Sequence, residues 1–399
     1  MGTTGRRGLT FDEMLAEAAA RALAPPAEPV ALADLSGRVL AEDVRARSDH
    51  PGFTNSAMDG YAVRAADAAA GAPLRLVGES RAGAPFAGSV GPGEATVIST
   101  GAEIPAGADA VLRREDAEED AAAGTVRATV PPPAGAFVRP RGEDLRAGAV
   151  VLPAGAVVRA HEVAVVAGAG HARVACVRRP RVAILGSGDE VVPAGARLLP
   201  GQVYDANRPG IAAQAAAAGA EVVANVLVPD DRDATIAAVG GALDGSPRPD
   251  LLVTIGGVSM GRHDHLRPAL ADAGVAEILF GIEIRPGHPL WLGRRGPQLV
   301  LGLPGNPVSA AVCFHAFGRP LLGRAASWER RLPLAAGYAK DTPRTELIRV
   351  VERDGRLHPL PRQASNHITS LAGATHLAVI EAGVRTARAG DLVRCCPLA

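Results

Sequence analysis

Lysine is almost missing from this chain. Of 42 basic side chains only Lys340 is a lysine, and the rest are arginine. No Gly-x-x-x-x-Gly-Lys-Ser/Thr phosphate loop can be written, because that loop reaches the outer phosphates through its lysine. A Schiff-base mechanism would fall on Lys340 alone. Aromatic residues make up 3% of the 399 residues, so Val, Leu, Ile and Ala must build the core. Net charge is absent too: 42 acidic residues balance the 42 basic ones. This excludes a general nucleic-acid binder, which neutralises phosphates with a basic excess. Four cysteines (Cys176, Cys313, Cys395, Cys396) show no Cys-x-x-Cys spacing, so a disulfide framework is not expected and a reducing cytoplasm suits them. No uninterrupted apolar run approaches the roughly 18 residues of a membrane span. The most apolar stretch, 211–228, is broken by Gln214, Glu221 and Asn225, so no membrane partner is expected. The N-terminal Met1-Gly-Thr-Thr-Gly-Arg-Arg lacks an apolar signal core, and Arg6 stands where a myristoylation signal needs Ser or Thr.

What is present reads as several domains, given a soft prior of about 150 residues each. Thr10 and Glu13 form a capping box for a first helix, with Phe11, Met14, Leu15, Ala18 and Ala22 on one face. Pro25-Pro26 ends it. Residues 50–139 change to short β-like runs such as LRLVGESRAG and GTVRATV, punctuated by Gly and Pro. Pro131-Pro-Pro-Ala-Gly reads as a hinge out of them. From residue 178 strands alternate with helices: Val182–Leu185, a helix from about Arg208, Glu221–Val228, Ala234–Leu243, Leu251–Ile255, Glu277–Ile284 and Leu299–Leu303. That alternation predicts a parallel, doubly wound α/β sheet. After about residue 325, ELIRVVE, HLAVIE and DLVRC predict a small C-terminal β domain.

Ligands of open α/β sheets sit at the carboxyl ends of strands. Three buried strands here end in Gly-rich loops: Gly186-Ser187-Gly188-Asp189-Glu190, Gly256-Gly257-Val-Ser259, and Pro304-Gly305-Asn306-Pro307. One such loop is only a tight turn, whereas three in one domain point to a phosphate or anion site. No Gly-x-Gly-x-x-Gly follows the first strand, so a nicotinamide enzyme is disfavoured. Acidic residues recur in loops: Asp59 (NSAMDGYA), Asp144 (RGEDL), Glu190 (GSGDE), Asp205 (YDANR) and Asp264 (GRHDH). Each alone reads first as a helix cap or Asx turn. Convergent, they are hard oxygen ligands suited to Mg²⁺ on a phosphate.

In order, PGFTNSAMDGYAVR, STGAEIPAGADAV, RPRGEDL, AILGSGDEV, YDANR, TIGGVSMGRHD and LPGNPVSA make the chain resemble the MoeA family of molybdopterin molybdotransferases, whose eukaryotic counterparts include gephyrin. The resemblance runs from about residue 10 to 385. It implies a cytoplasmic, elongated subunit in four parts. These are a helical and β base (1–49 and 140–177), an inserted β domain (50–139), a molybdopterin-binding α/β domain (178–324) and a C-terminal β barrel (325–399). It also implies a homodimer in which the pterin domain of one subunit faces the inserted domain of the other. Molybdopterin adenylyltransferase and molybdoenzyme apoproteins are the implied partners.

The implied reaction is Mg²⁺-dependent insertion of molybdate into adenylylated molybdopterin, with release of AMP. By resemblance, Asp59, Thr100, Asp144, Asp205 and Asp264 are catalytic, and Glu190, Asp205 and Asp264 hold the metal. The three Gly-rich loops bind the pterin substrate, with Pro304 and Pro307 as structural prolines. Molybdate, an anion, needs cations and N–H or O–H donors; Arg285, His288, Ser309, Arg344 and Ser365 are the candidates. The family commonly has Lys-Pro-Gly-Lys-Pro where this chain has Arg285-Pro-Gly-His288-Pro. Arginine keeps the charge as a planar fork, and histidine makes it depend on pH. A non-catalytic pterin or cofactor carrier is therefore the alternative function. An adenylyltransferase, which would share the α/β domain, is disfavoured by the additional N- and C-terminal domains.

Overall fold

The structure, a computed structural model, describes residues 6–257, 265–324 and 327–398. The chain forms two compact units: one of residues 27–177, the other of residues 1–26 with 178–399.

In the second unit, seven strands form one sheet: β1 (Arg6–Leu9), β2 (Arg181–Ser187), β3 (Glu221–Val228), β4 (Leu251–Ile255), β5 (Ala276–Ile282), β6 (Trp291–Arg295) and β7 (Gln298–Leu303). The spatial order is β1-β5-β6-β7-β4-β2-β3. Strands β7, β4, β2 and β3 run parallel to one another. The expected all-parallel sheet needs one correction: β6 is antiparallel to both β5 and β7. Its short sequence, Trp-Leu-Gly-Arg-Arg, turns back through Gly296 to β7 without an intervening helix, as only an antiparallel neighbour can.

Helices cover both faces, as a doubly wound sheet requires. Val182 and Ile184 of β2 face one apolar cluster with α2 (Asn207–Ala217) and α5 (Pro307–Cys313). The intervening Ala183 and Leu185 face another with α3 (Arg232–Asp244) and α4 (Leu266–Asp272). Near-continuous apolar strands follow from burial on both faces.

Residues 6–26, grouped with the base on sequence grounds, belong here instead. β1 pairs in parallel with β5. The following helix, α1 (Phe11–Ala20), carries the expected capping box and buries Phe11, Met14 and Ala18. Phe11 packs edge-on against Phe317 at 5.9 Å and Trp328 at 5.0 Å. A short capped helix gains most of its stability from such packing, and this sheet supplies the partner.

The C-terminal strands of this unit are Thr345–Arg353, Arg356–Pro359, His376–Ile380, Leu392–Pro397 and Arg331–Pro333. They form one sheet, joined at its edge by Ile284–Arg285. A bridge between Leu334 and Leu357 returns the last strand to the Arg356–Pro359 hairpin and closes the barrel. Leu334, Ile348, Val350, Leu357 and Ala378 fill it.

In unit 27–177 a six-stranded sheet carries Gly60–Val63 between Ala110–Arg113 and Glu94–Ile98. Tyr61, Val63, Leu74 and Leu112 form its core. A second core of Val30, Leu40, Val44, Val158, Val166 and Cys176 draws residues on both sides of that sheet in sequence together.

Candidate functional site

The three strand-end loops meet. A Cβ placed on Gly256, after β4, would lie 3.5 Å from Ser187 O and Oγ at the end of β2. A Cβ on Gly305, after β7, would lie 3.7 Å from the Gly256 Cα. Backbone therefore approaches backbone here, leaving a cradle lined by main-chain groups. Asn207, opening α2, donates from Nδ2 to Gly305 O at 2.6 Å and ties that helix to the cradle. Ser259 and Asp264 lie outside the described residues.

Asp205 is committed to the protein. Its Oδ1 accepts from Arg208 N at 3.0 Å. Its Oδ2 lies 2.6 Å from Arg208 Nε, pairing the charges without an aligned hydrogen bond. The carboxylate is almost fully buried, where it accepts from the first turn of α2 and serves as the counter-ion of Arg208. Arg208 in turn donates from Nη1 to Asn225 Oδ1 at 3.1 Å. Glu190 is exposed, whereas Asp189 and Asp230 exchange backbone-to-carboxylate hydrogen bonds of 3.4 and 3.0 Å. Among the described residues no three His, Cys, Asp or Glu side chains form a ready metal cage.

The barrel reaches the same loops. Asn306 Nδ2 donates to Ser365 Oγ at 3.1 Å, and Val308 N donates to Ser365 O at 3.1 Å. Ser309 is buried in the first turn of α5. Behind Ser365 stands a residue that sequence reasoning missed. Arg349 is fully buried, and its guanidinium donates to Ser370 Oγ (3.1 Å) and to the carbonyls of Arg362 (3.4 Å) and Ala364 (3.5 Å). Gln363 brackets the same residue, accepting from Arg349 N at 2.9 Å and donating to Arg349 O at 2.8 Å. Burial lowers the Arg349 pKa to about 10, which leaves it charged at neutral pH. Its signal was an arginine amid the apolar residues of ELIRVVE, on the face opposite Ile348 and Val350.

The expected cationic residues cluster, but with carboxylates. Arg285 pairs with Asp341, and its Nε lies 3.8 Å from Glu346 Oε1. Arg344 Nε donates to Glu283 Oε2 at 2.9 Å. His288 Nδ1 donates to Ile282 O at 2.9 Å, with Glu283 Oε1 3.7 Å away. Desolvation pushes the buried Glu346 carboxyl above the usual range. The loop rests on α5: a Cβ on Gly287, at φ 118°, would collide with Cys313 Sγ at 2.2 Å. Lys340 is nearby in sequence, 7% exposed, and donates from Nζ to the carbonyls of Arg344 and Glu381, both at 2.6 Å, and of Ile380 at 3.4 Å.

In unit 27–177 the structure brings Asp59 and Thr100 together: Asp59 Oδ1 accepts from Thr100 N at 2.8 Å, and both residues are exposed. Asp144 N donates to His50 O at 3.0 Å, so its exposed side chain stands on the loop beside Pro51. The expected acidic set is thus divided between two units.

Three family models match the chain in succession. They are the MoeA N-terminal region (domain I and II) over residues 9–170, the "probable molybdopterin binding domain" over 183–324, and the MoeA C-terminal region (domain IV) over 331–398. The chain is 36% identical over 395 residues to the molybdopterin molybdenumtransferase of Synechococcus elongatus, covering 95% of this chain and 96% of that one. It is 33% identical over 385 residues to the protein of the same name from Bacillus subtilis, covering 92% and 89%. Two crystal structures of the molybdopterin biosynthesis MoeA protein from Pyrococcus horikoshii match with TM-scores of 0.85 and 0.79, at 28% and 24% identity. Each covers 98% of this chain, and 99% and 100% of the other. With all three regions matched in order and the full-length relatives so similar, the chain belongs to the MoeA family.

Proposed function

We propose that this protein inserts molybdate into adenylylated molybdopterin and releases AMP, acting as a Mg²⁺-dependent homodimeric transferase. The observation that carries this is the meeting of Ser187, Gly256 and Gly305 in one backbone cradle, with Ser365 of the barrel hydrogen-bonded to Asn306 at its edge. Main-chain groups in a Gly-rich cradle suit a pterin phosphate. Ser365 and the Arg349 guanidinium behind it, whose hydrogen bonds go to neutral groups, suit an oxyanion.

Cleavage of the phosphoanhydride adds water across P–O–P and yields AMP and the pterin phosphate. Molybdate gives up one oxide as water, with the two thiol protons, as the dithiolene sulfurs bind. Of the implied metal ligands, Glu190 stands exposed on the strand-end loop and offers the hard oxygen donor that a divalent ion takes. Bound there, Mg²⁺ would screen the pyrophosphate charge. Asp205 holds Arg208 and the start of α2, so it positions the cradle. Asp59, hydrogen-bonded to the Thr100 backbone, and Asp144 are exposed carboxylates of unit 27–177.

The test is incubation of the purified protein with adenylylated molybdopterin, Mg²⁺ and micromolar molybdate, following AMP. Molybdate-dependent AMP release is expected, and its absence overturns the reading. A specific observation favours a second reading, the non-catalytic carrier: Arg285 and Arg344 are each already paired with a carboxylate. Tight pterin binding without AMP release in the same sample would establish it.

A further inference from the structure

A second cavity, of about 310 Å³, lies between α2, the helical segment continuing α5 and the C-terminal barrel. Gln214, Ala311, His315, Arg319, Leu371 and Leu398 are among its walls. None of the strand-end cradle residues lines it. Here α5 widens into a π-helical turn, Phe314–Gly318, a distortion that inserts a residue into the helix and recurs at functional sites.

The polar groups of this cavity form an incomplete set. Arg319 Nη1 lies 3.2 Å from His315 Nδ1, and His315 Nε2 lies 3.4 Å from Cys396 Sγ. Burial, helped by the Arg319 charge, lowers the His315 pKa to about 4. The ring is therefore neutral, and its Nδ1 accepts from the guanidinium. No described carboxylate lies within ion-pair distance of Arg319. Its Nε, like Gln214 Oε1, is buried without a hydrogen-bond partner among the described residues. A buried polar group left without a partner destabilises the fold unless something satisfies it. The remaining walls, Ala217, Ala311, Val312, Leu371, Ala374 and Leu398, are apolar. A fixed cation and an unfilled amide oxygen at the edge of a mostly apolar cavity describe a ligand with an anionic end, a compact apolar body and a hydrogen-bond donor.

We propose that this cavity is a binding site for a small hydroxy-carboxylic acid. The carboxylate pairs with Arg319, the hydroxyl donates to Gln214, and the carbon skeleton lies against Leu371 and Leu398. The site is separate from the pterin cradle, so its occupancy does not depend on the proposed reaction.

The proposal is tested by calorimetric titration of the full chain with 4-hydroxybenzoate, benzoate, benzyl alcohol and sulfate. Saturable binding of 4-hydroxybenzoate is expected, at least about tenfold tighter than benzyl alcohol, with benzoate between them. Arg319→Met should weaken 4-hydroxybenzoate at least about tenfold. Ala374→Phe, which fills the cavity without touching Arg319, should abolish binding while leaving molybdate-dependent AMP release unchanged. The proposal is overturned by lack of saturable binding, by benzyl alcohol or sulfate binding as tightly as 4-hydroxybenzoate, or by full binding in Ala374→Phe. If Arg319→Met does not fold, the ligand series on the parent and the Ala374→Phe result decide.

Discussion

Arg285 and Arg349 stand close in the same sheet. Arg285 is registered opposite Glu346, and Arg349 lies three residues further along Glu346's strand. Their surroundings are opposite in kind. The patch of Arg285, His288 and Arg344 is held by the carboxylates of Asp341, Glu346 and Glu283, at side chains that, apart from the buried Glu346, are open to solvent. Arg349 is held by a hydroxyl and carbonyl oxygens in a fully buried place. A cation satisfied by neutral dipoles keeps its charge for other uses. A cation satisfied by a carboxylate must surrender that partner before it can serve an oxyanion. The family's lysine pair falls in the balanced region, and this chain's arginine and histidine stand there. Arg349, hydrogen-bonded only to neutral groups, lies three residues beyond Glu346 on the same strand, behind Ser365.

Four measurements would break or sharpen this contrast. The largest effect is expected from Arg349→Met, which should lower kcat/KM for molybdate roughly a hundredfold and leave pterin binding unchanged. Equal losses in both would make Arg349 merely structural. Ser365→Ala removes the hydroxyl that accepts from Asn306, and steady-state AMP assays should show a fall of about tenfold, the size of one hydrogen bond. Asp341→Asn should act in the opposite direction, freeing Arg285 and lowering the molybdate KM about threefold. Its unfolding free energy should stay within about 0.5 kcal/mol of the parent, because exposed ion pairs contribute little. An unchanged or raised KM would show that Arg285 does not meet the anion.

The smallest effect concerns pH. The raised pKa of Glu346 means that it takes up a proton before ordinary carboxyls as pH falls. Protonation removes a counter-charge from Arg285, so molybdate KM should fall towards mildly acidic pH. His288 and Glu283 share the patch, so the reading is the part of the slope that Glu346→Gln removes. Stability shifts the same way: burial of the ionised carboxyl disfavours the fold above the raised pKa, and the cost fades as pH falls from there to the carboxyl's ordinary value.

Much of this was legible in the sequence. The strands β2, β4 and β7 announce themselves as unbroken apolar runs ending in glycine, because both their faces are buried. The capping box of α1 is a local signal and was found at Thr10 and Glu13. The placement of that helix was not legible, since the partner of Phe11 lies some three hundred residues away at Phe317. Nor was β6, whose five residues carry a glycine and two arginines. The pairing of Asp205 with Arg208 was not legible, because a loop aspartate reads the same in sequence whether it is open or buried beside a cation. Arg344 was chosen for the oxyanion pocket, while Arg349 was passed over. One charged residue inside an alternating strand is silent until the loop it grips, 362–365, is seen to deliver Ser365.

Lys340 gives the chain an unusual chemical economy. Its ammonium is surrounded by three carbonyls inside the barrel, and no other side chain in the sequence carries a primary amine. Side-chain acylation by an amine-selective reagent therefore has a single target. That target becomes reactive only when the Lys340–Arg344 and Lys340–Glu381 contacts open. The rate at which one acyl mass appears at Lys340 thus measures the opening of the C-terminal barrel itself, a clock that an ordinary lysine-rich surface would drown.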